Sequence, residues 1–180
     1  MYFQVTNLQN KNIQLQREVI FDKLTGFFNY KKFEQDILLG PDKQTNTGIA
    51  VIDLDYFKNV NDTYGHEAGN KVLQEFSLFL RERLAYKLNS KDLGIYRYGG
   101  EEFVWMFDPN NFSDIGKFLK SMQLELSKLP LGDQNHLMSF SAGVSFSKNY
   151  KFNLKMTFDI ADDLVYQSKK TGRGKIVIEG

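Results

Sequence analysis

Apolar positions recur along the chain with two periods, near 3.5 in some stretches and 2 or continuous in others. Val5, Leu8, Asn12, Leu15 and Val19 follow one another at spacings of three and four, with polar residues between them. This pattern predicts an N-terminal helix over 1–21. It reads as a short heptad seam in which Asn12 sets the register of a parallel dimer, or as one amphipathic helix packed on its own domain. Thr25–Gly26 breaks the pattern. A second helix is expected from about Asn29 to Leu39, stopped by Gly40–Pro41. The run Gly48-Ile-Ala-Val-Ile-Asp-Leu54 reads as a buried strand ending in acid. From Gly69 to about Lys87, Val72, Leu73, Phe76, Phe79, Leu80 and Leu84 keep helical spacing. Ile95–Tyr98 and Phe103–Phe107 flank Gly99–Gly100, the pattern of a hairpin. A helix from about Ser113 to Leu129, a strand from Leu137 to Phe146, a helix from about Phe158 to Thr171 and a strand Lys175–Glu179 complete the order. The expected fold is α/β of the α+β kind, in the order β-α-β-β-α-β-α-β, with a mixed central sheet and flanking helices.

Composition narrows the function classes. The 180 residues, 42% of them hydrophobic, suit one domain with a real core. A net charge of +1 gives no basic field for long nucleic acids, so phosphate binding would rest on local groups. There is no cysteine, which excludes disulfides and thiol chemistry and fits a cytoplasmic location. No apolar run is long enough to span a bilayer.

The chemistry concentrates in two acidic turns. Asp53-Leu54-Asp55 closes the first core strand, and Glu101–Glu102 follows Gly99–Gly100. Taken alone, the first is as readily a helix cap as a metal site. Its two acids are expected to point to opposite faces, so that only one reaches a shared site. The surrounding residues are more specific. Asp53-Leu-Asp-Tyr-Phe-Lys-Asn-Val-Asn-Asp-Thr-Tyr-Gly-His-Glu-Ala-Gly-Asn70 resembles the DxDxFKxxNDxxGHxxGD signature of GGDEF domains. Arg97-Tyr-Gly-Gly-Glu-Glu-Phe103 resembles that family's RYGG(D/E)EF turn, and Asp22-Lys-Leu-Thr-Gly-Phe-Phe-Asn29 its DxLTGLxN segment. Ser141-Ala-Gly-Val144 and Ala161–Arg173 resemble its SxGV strand and ADxALYxAKxxGRN helix. The five motifs occur in order and cover the chain from about Asp22 to Glu179. The resemblance implies an N-terminal signalling helix over 1–21 and a catalytic domain over 22–180, with a palm-like sheet of the nucleotide-cyclase type.

The resemblance further implies a diguanylate cyclase. A ribose 3′-hydroxyl of one GTP attacks the α-phosphate of another, twice, to give cyclic di-GMP and two pyrophosphates. Asp53 and Glu101 match the family's metal ligands and Leu54 its carbonyl ligand, for Mg²⁺ with Mn²⁺ as an alternative. Glu102 matches the second acid of the turn, placed for metal binding or proton removal. Gly99 and Gly100 leave backbone N–H groups open to phosphate. Lys58 matches a lysine near the triphosphate. Lys169 and Arg173, four apart and expected on one helix face, match the pair that grips the terminal phosphates. Outside the motif such cations ordinarily serve the helix dipole. Asn61 matches a guanine contact, and Phe57 and Leu73 match the walls of the base pocket. His66 lies in the same binding signature and reads as a residue that holds the loop. A homodimer, an upstream sensory domain and a membrane anchor elsewhere in a longer protein are further implications.

Two positions depart from the family pattern. Asn70 stands where the family usually has Asp. A carboxylate accepts from both guanine N1–H and N2–H, whereas an amide offers one acceptor and can also pair with adenine. Retained GTP preference is expected, with some hybrid cyclic GMP-AMP as the alternative. Asn89 stands where an RxxD product-binding site would have arginine, although Asp92 is present; that site is expected to be lost. A catalytically silent nucleotide-sensing or dimerising module is the competing function, and the intact Gly-Gly-Glu-Glu turn argues against it.

Overall fold

The computed structural model describes residues 20–39, 45–84 and 94–180. The heptad seam over 5–19, the Gly40–Pro41 stop and the Asn89–Asp92 stretch lie outside the described residues. At the centre runs β1 (Gly48–Leu54), buried along its whole length as its uninterrupted apolar run requires. It pairs antiparallel with β3 (Glu102–Phe107) on one side and with β6 (Phe140–Phe146) on the other. β2 (Ile95–Gly99) forms one edge, joined to β3 through a bulge between Arg97 and Gly99, and β7 (Ile176–Ile178) lies parallel to β6 at the other. The five-stranded sheet therefore has the order β2-β3-β1-β6-β7.

Side-chain alternation divides the core into two layers. Ile49, Val51, Val104 and Met106 face one way, against α1 (Tyr30–Leu39) and α4 (Leu154–Lys170). Ala50, Ile52, Leu54, Phe103 and Trp105 face the other, against α2 (Phe57–Leu84) and α3 (Ile115–Leu126). Burying each such branched or aromatic side chain is worth about 1.5–3 kcal/mol. The position of α4 depends on Gly143, whose Cβ, if present, would lie 2.1 Å from the Ala161 carbonyl oxygen. Only a residue without a side chain lets the helix lie this close to β6.

Several elements differ from the sequence expectation, among them α3, which spans Ile115–Leu126 rather than Ser113–Leu129. Helix α2 begins at Phe57 rather than Gly69 and breaks at Gly65, whose φ of 84° and ψ of 168° suit glycine. Helix α4 starts at Leu154, capped by Asn153, whose side chain accepts from the Met156 N–H at 2.9 Å. The expected strand Leu137–Phe146 is two pieces. β5 (His136–Leu137) pairs with β4 (Pro130–Leu131) in a small separate hairpin, and β6 starts only at Phe140. The β1–β6 register runs one step past Phe140, with the Asp55 N–H donating to the Ser139 carbonyl at 2.8 Å, and the small hairpin lies before that point. The last strand is shorter than expected, at Ile176–Ile178.

Candidate active site

The strand register alone brings the acids together. Asp53, the sixth residue of β1, lies opposite Glu102, the first of β3, and opposite Ser141 of β6. By alternation all three belong to the face covered by α4. Glu101 is one residue earlier, in the turn, where its carbonyl accepts from the Leu54 N–H at 3.3 Å. Gly100, in the turn, has a φ of 27° and is exposed.

Asp53 is only 3% exposed, and the Lys169 ammonium at the end of α4 donates to its Oδ2. Burial pushes the Asp53 carboxyl up to about 6; Lys169 opposes the rise, and the charges of Glu101 and Glu102 add to it. Glu102 is also raised, by burial first, with Lys169 opposing and Asp162 and Glu101 reinforcing. Asp162, seven residues before Lys169 on α4, is raised as well, by burial and by its neighbours Asp163 and Asp159. A half-buried acidic site is thus held together by one lysine.

Asp55 does not join it. The expectation that Asp53 and Asp55 point to opposite faces is corrected: residues two apart share a face, and both acids turn toward the C-terminal end of α4. What separates them is hydrogen bonding. The Asp55 carboxylate accepts from Ser139 Oγ at 2.7 Å, Ser141 Oγ at 2.8 Å and the Gly174 N–H at 3.0 Å, and is 2% exposed. Its lone pairs are committed to fastening the loop after α4.

The expected cations are not arranged as their spacing suggests. Helix α4 ends at Lys170, so Arg173 is not on a helix face with Lys169. It follows Gly172 in a left-handed conformation, φ 61°, and its guanidinium lies over the Tyr56 ring, 4.9 Å from the centroid. Lys58 has a side chain 77% exposed on the first turn of α2 and bonds to Asp62 at 2.8 Å.

On α2, Phe57 and Leu73, expected as walls of a base pocket, sit in one buried cluster at 4% and 2% exposure and present little surface. Gly69 is the close-approach point. A Cβ there would lie 1.9 Å from Asn61 Oδ1, so the two halves of the broken helix meet at the Asn61 amide. Asn70 is exposed beside this crossing, and His66 is exposed on the second half of α2 rather than packed to hold the loop. Sequence reasoning missed Tyr56, Asp162 and Gly69. The seven-residue interval from Asp162 to Lys169 was the one readable signal, since it places both on one face of α4.

The donor set suits a hard divalent cation in the company of nucleotide oxygens. A cation already rests on Asp53, in the form of the Lys169 ammonium, and the Glu101 and Glu102 carboxylates are near enough to act on the same group. Among the described residues no three histidine or acidic side chains converge as a closed metal cage.

Comparison with known proteins agrees with this architecture. The family described as "Diguanylate cyclase, GGDEF domain" matches residues 19–175. Diguanylate cyclase VdcA of Vibrio cholerae serotype O1 is 26% identical over 178 residues, 97% of this chain and 51% of that protein. Response regulator PleD of Caulobacter vibrioides is 34% identical over 169 residues, 88% of this chain and 36% of that protein. The chain thus spans about half, or less, of the length of these relatives. The solved GGDEF domain of DgcB from Caulobacter crescentus, in complex with c-di-GMP, superposes with a TM-score of 0.75 at 26% identity, over 88% of this chain and 95% of that one. The same protein's coiled coil and GGDEF domain together give a TM-score of 0.85 at 24% identity, over 99% and 95%, a likeness of fold. This chain belongs to the diguanylate cyclase GGDEF domain family.

Proposed function

We propose that this chain condenses two molecules of GTP into cyclic di-GMP and two pyrophosphates. The observation that carries the reading is the pairing of Asp53 with Glu102 across β1 and β3, with Glu101 against Leu54 and a cation seated on Asp53. Asp53, the Leu54 carbonyl and Glu101 would hold Mg²⁺, or Mn²⁺ in its place. The ion, when bound, lowers the pKa of the attacking hydroxyl and neutralises charge on the phosphoryl group. The chain's own groups do the positioning. The backbone N–H groups of Gly99 and Gly100, with Lys169 and Arg173, bind the triphosphate and align its α-phosphate for in-line attack. Glu102, whose proton affinity burial raises, stands beside Asp53 to take up the hydroxyl proton. Asn61 and Asn70 address the guanine edge above Phe57 and Leu73.

The product contains two nucleotides, and each site holds one. Catalysis then needs two copies facing each other across a two-fold axis. We place the reaction in the cytoplasm, with an upstream sensory domain controlling how two copies meet. Among the described residues no helix is long and apolar enough to cross a membrane.

The decisive experiment incubates the purified protein with Mg²⁺ and GTP, ATP or both, and identifies the cyclic products by mass. Cyclic di-GMP from GTP alone is the expected result. Nucleotide binding without any cyclic product, with Mg²⁺ or Mn²⁺, would instead support a silent sensing module.

A further inference from the structure

Two turns meet beside the acidic site, and they are fastened at consecutive residues. Asp55 and Tyr56 connect β1 to α2, and Arg173 and Gly174 connect α4 to β7. The Asp55 carboxylate accepts the Gly174 N–H at 3.0 Å. One residue further on, the Arg173 guanidinium lies over the Tyr56 ring, 4.9 Å from its centroid. Both Tyr56 and Arg173 have left-handed backbones, with φ of 60° and 61°. An aromatic residue adopts that conformation only under constraint. Here the constraint is visible: the Tyr56 carbonyl accepts the Asn59 N–H at 2.9 Å at the start of α2, and Asp55 is held by its own hydrogen bonds. The backbone from which the ring projects is therefore held, while the ring itself is 56% exposed.

We infer that Tyr56 is a positioning residue for Arg173 and through it for the nucleotide's triphosphate. The inference rests on the proposed role of Arg173 as a phosphate ligand. Arg173 lies between glycines with φ of 114° and 58°, outside the helix, where no flanking helical side chain restrains its long rotamer-rich arm. A cation–π contact to the Tyr56 ring restrains it without using up a hydrogen-bond donor. A ring contact of this kind leaves guanidinium N–H donors to fork onto phosphate oxygens. A carboxylate partner would fix the same arginine but would occupy those donors.

The test uses Tyr56→Asn, which removes the ring yet suits a left-handed backbone, and Tyr56→Phe, which keeps the ring. Binding of Mg²⁺ with 3′-deoxy-GTP, which cannot cyclise, is measured by calorimetry, and GTP turnover is measured in parallel. In Tyr56→Asn, Kd and KM should rise about two- to fivefold, the range of an exposed cation–π contact, with kcat at saturation nearly unchanged. Thermal stability should hold or rise in the same variant, because backbone strain is relieved. Tyr56→Phe should bind as the wild type does. In an Arg173→Met background, Tyr56→Asn should add nothing. If Arg173→Met weakens binding but Tyr56→Asn does not, or does so equally in both backgrounds, the inference fails by itself. If Arg173→Met leaves binding intact, the phosphate role of Arg173 fails and the inference falls with it.

Discussion

Arg97 joins the acidic hairpin to the segment that leads into the domain. Its Nη1 meets Asp22 Oδ1 at 3.1 Å, while Nε and Nη2 donate to the Gly100 carbonyl at 3.0 and 2.9 Å. Asp22 itself caps the turn before Gly26, accepting from the Thr25 N–H at 2.9 Å and hydroxyl at 2.7 Å. Phe28 extends the contact by bridging to Tyr96 on the edge strand. Asp22 and Phe28 thus tie the start of the domain to the edge strand and to the Gly99–Gly100 turn, through the Arg97 side chain and through the Phe28 backbone, which bonds to Ile95 and Arg97 at 3.0 and 2.7 Å.

This linkage is expected to be acid-sensitive. Burial pushes the Asp22 carboxyl up, but the Thr25 hydrogen bonds and Arg97 outweigh it, and the folded pKa lies below 3.8. The stabilisation is thus present above about pH 4 and is lost as pH falls through the folded value. Asp22→Asn should destabilise the domain by about 1–3 kcal/mol at neutral pH. It should also flatten the stability profile at the acid end, read from urea unfolding between pH 3 and pH 7. An unchanged acid limb in the variant would show that Asp22 is not the titrating group.

Glu101→Gln should leave the fold intact and abolish cyclic product, because the turn would lose a charged oxygen donor while its backbone contact to Leu54 survives. Circular dichroism and product analysis on the same sample check both halves. Near-normal turnover at saturating Mg²⁺ would remove Glu101 from the ligand set.

Lys169 should oppose the metal when no nucleotide is present, since its ammonium occupies Asp53. Lys169→Met is expected to bind Mn²⁺ several-fold more tightly without nucleotide, by paramagnetic titration, and to bind GTP more weakly. Weaker Mn²⁺ binding in the variant would mean that the lysine supports the ion rather than standing in for it.

Asn70→Asp should tighten GTP binding and reject ATP more strongly. A carboxylate accepts both guanine donors but faces the adenine N1 lone pair with no proton to offer. A good two-point contact is worth about 1–3 kcal/mol. Competition between GTP and ATP in the two proteins gives the ratio. Equal ratios would show that Asn70, exposed as it is, does not read the base edge.

Much of the architecture is local and could be read along the chain. The uninterrupted apolar run of β1, the Gly-Gly turn and the helical spacing of Val72, Leu73, Phe76 and Leu80 depend on neighbours a few residues away. So do the five motifs that carry the family resemblance. Long-range contacts decided the rest. Two-residue alternation places Asp53 and Asp55 on one side, but only the folding of Ser139, Ser141 and Gly174 around Asp55 leaves Asp53 as the available acid. A four-residue interval suggested that Lys169 and Arg173 act as a helical pair. The helix ends between them, and its distance from the sheet, set by the missing side chain of Gly143, delivers Lys169 to Asp53 and Arg173 to Tyr56. Sequence carries the periodicities that make each element. Which charges meet is decided by strand register and by how closely backbones approach, and both are properties of residues distant along the chain.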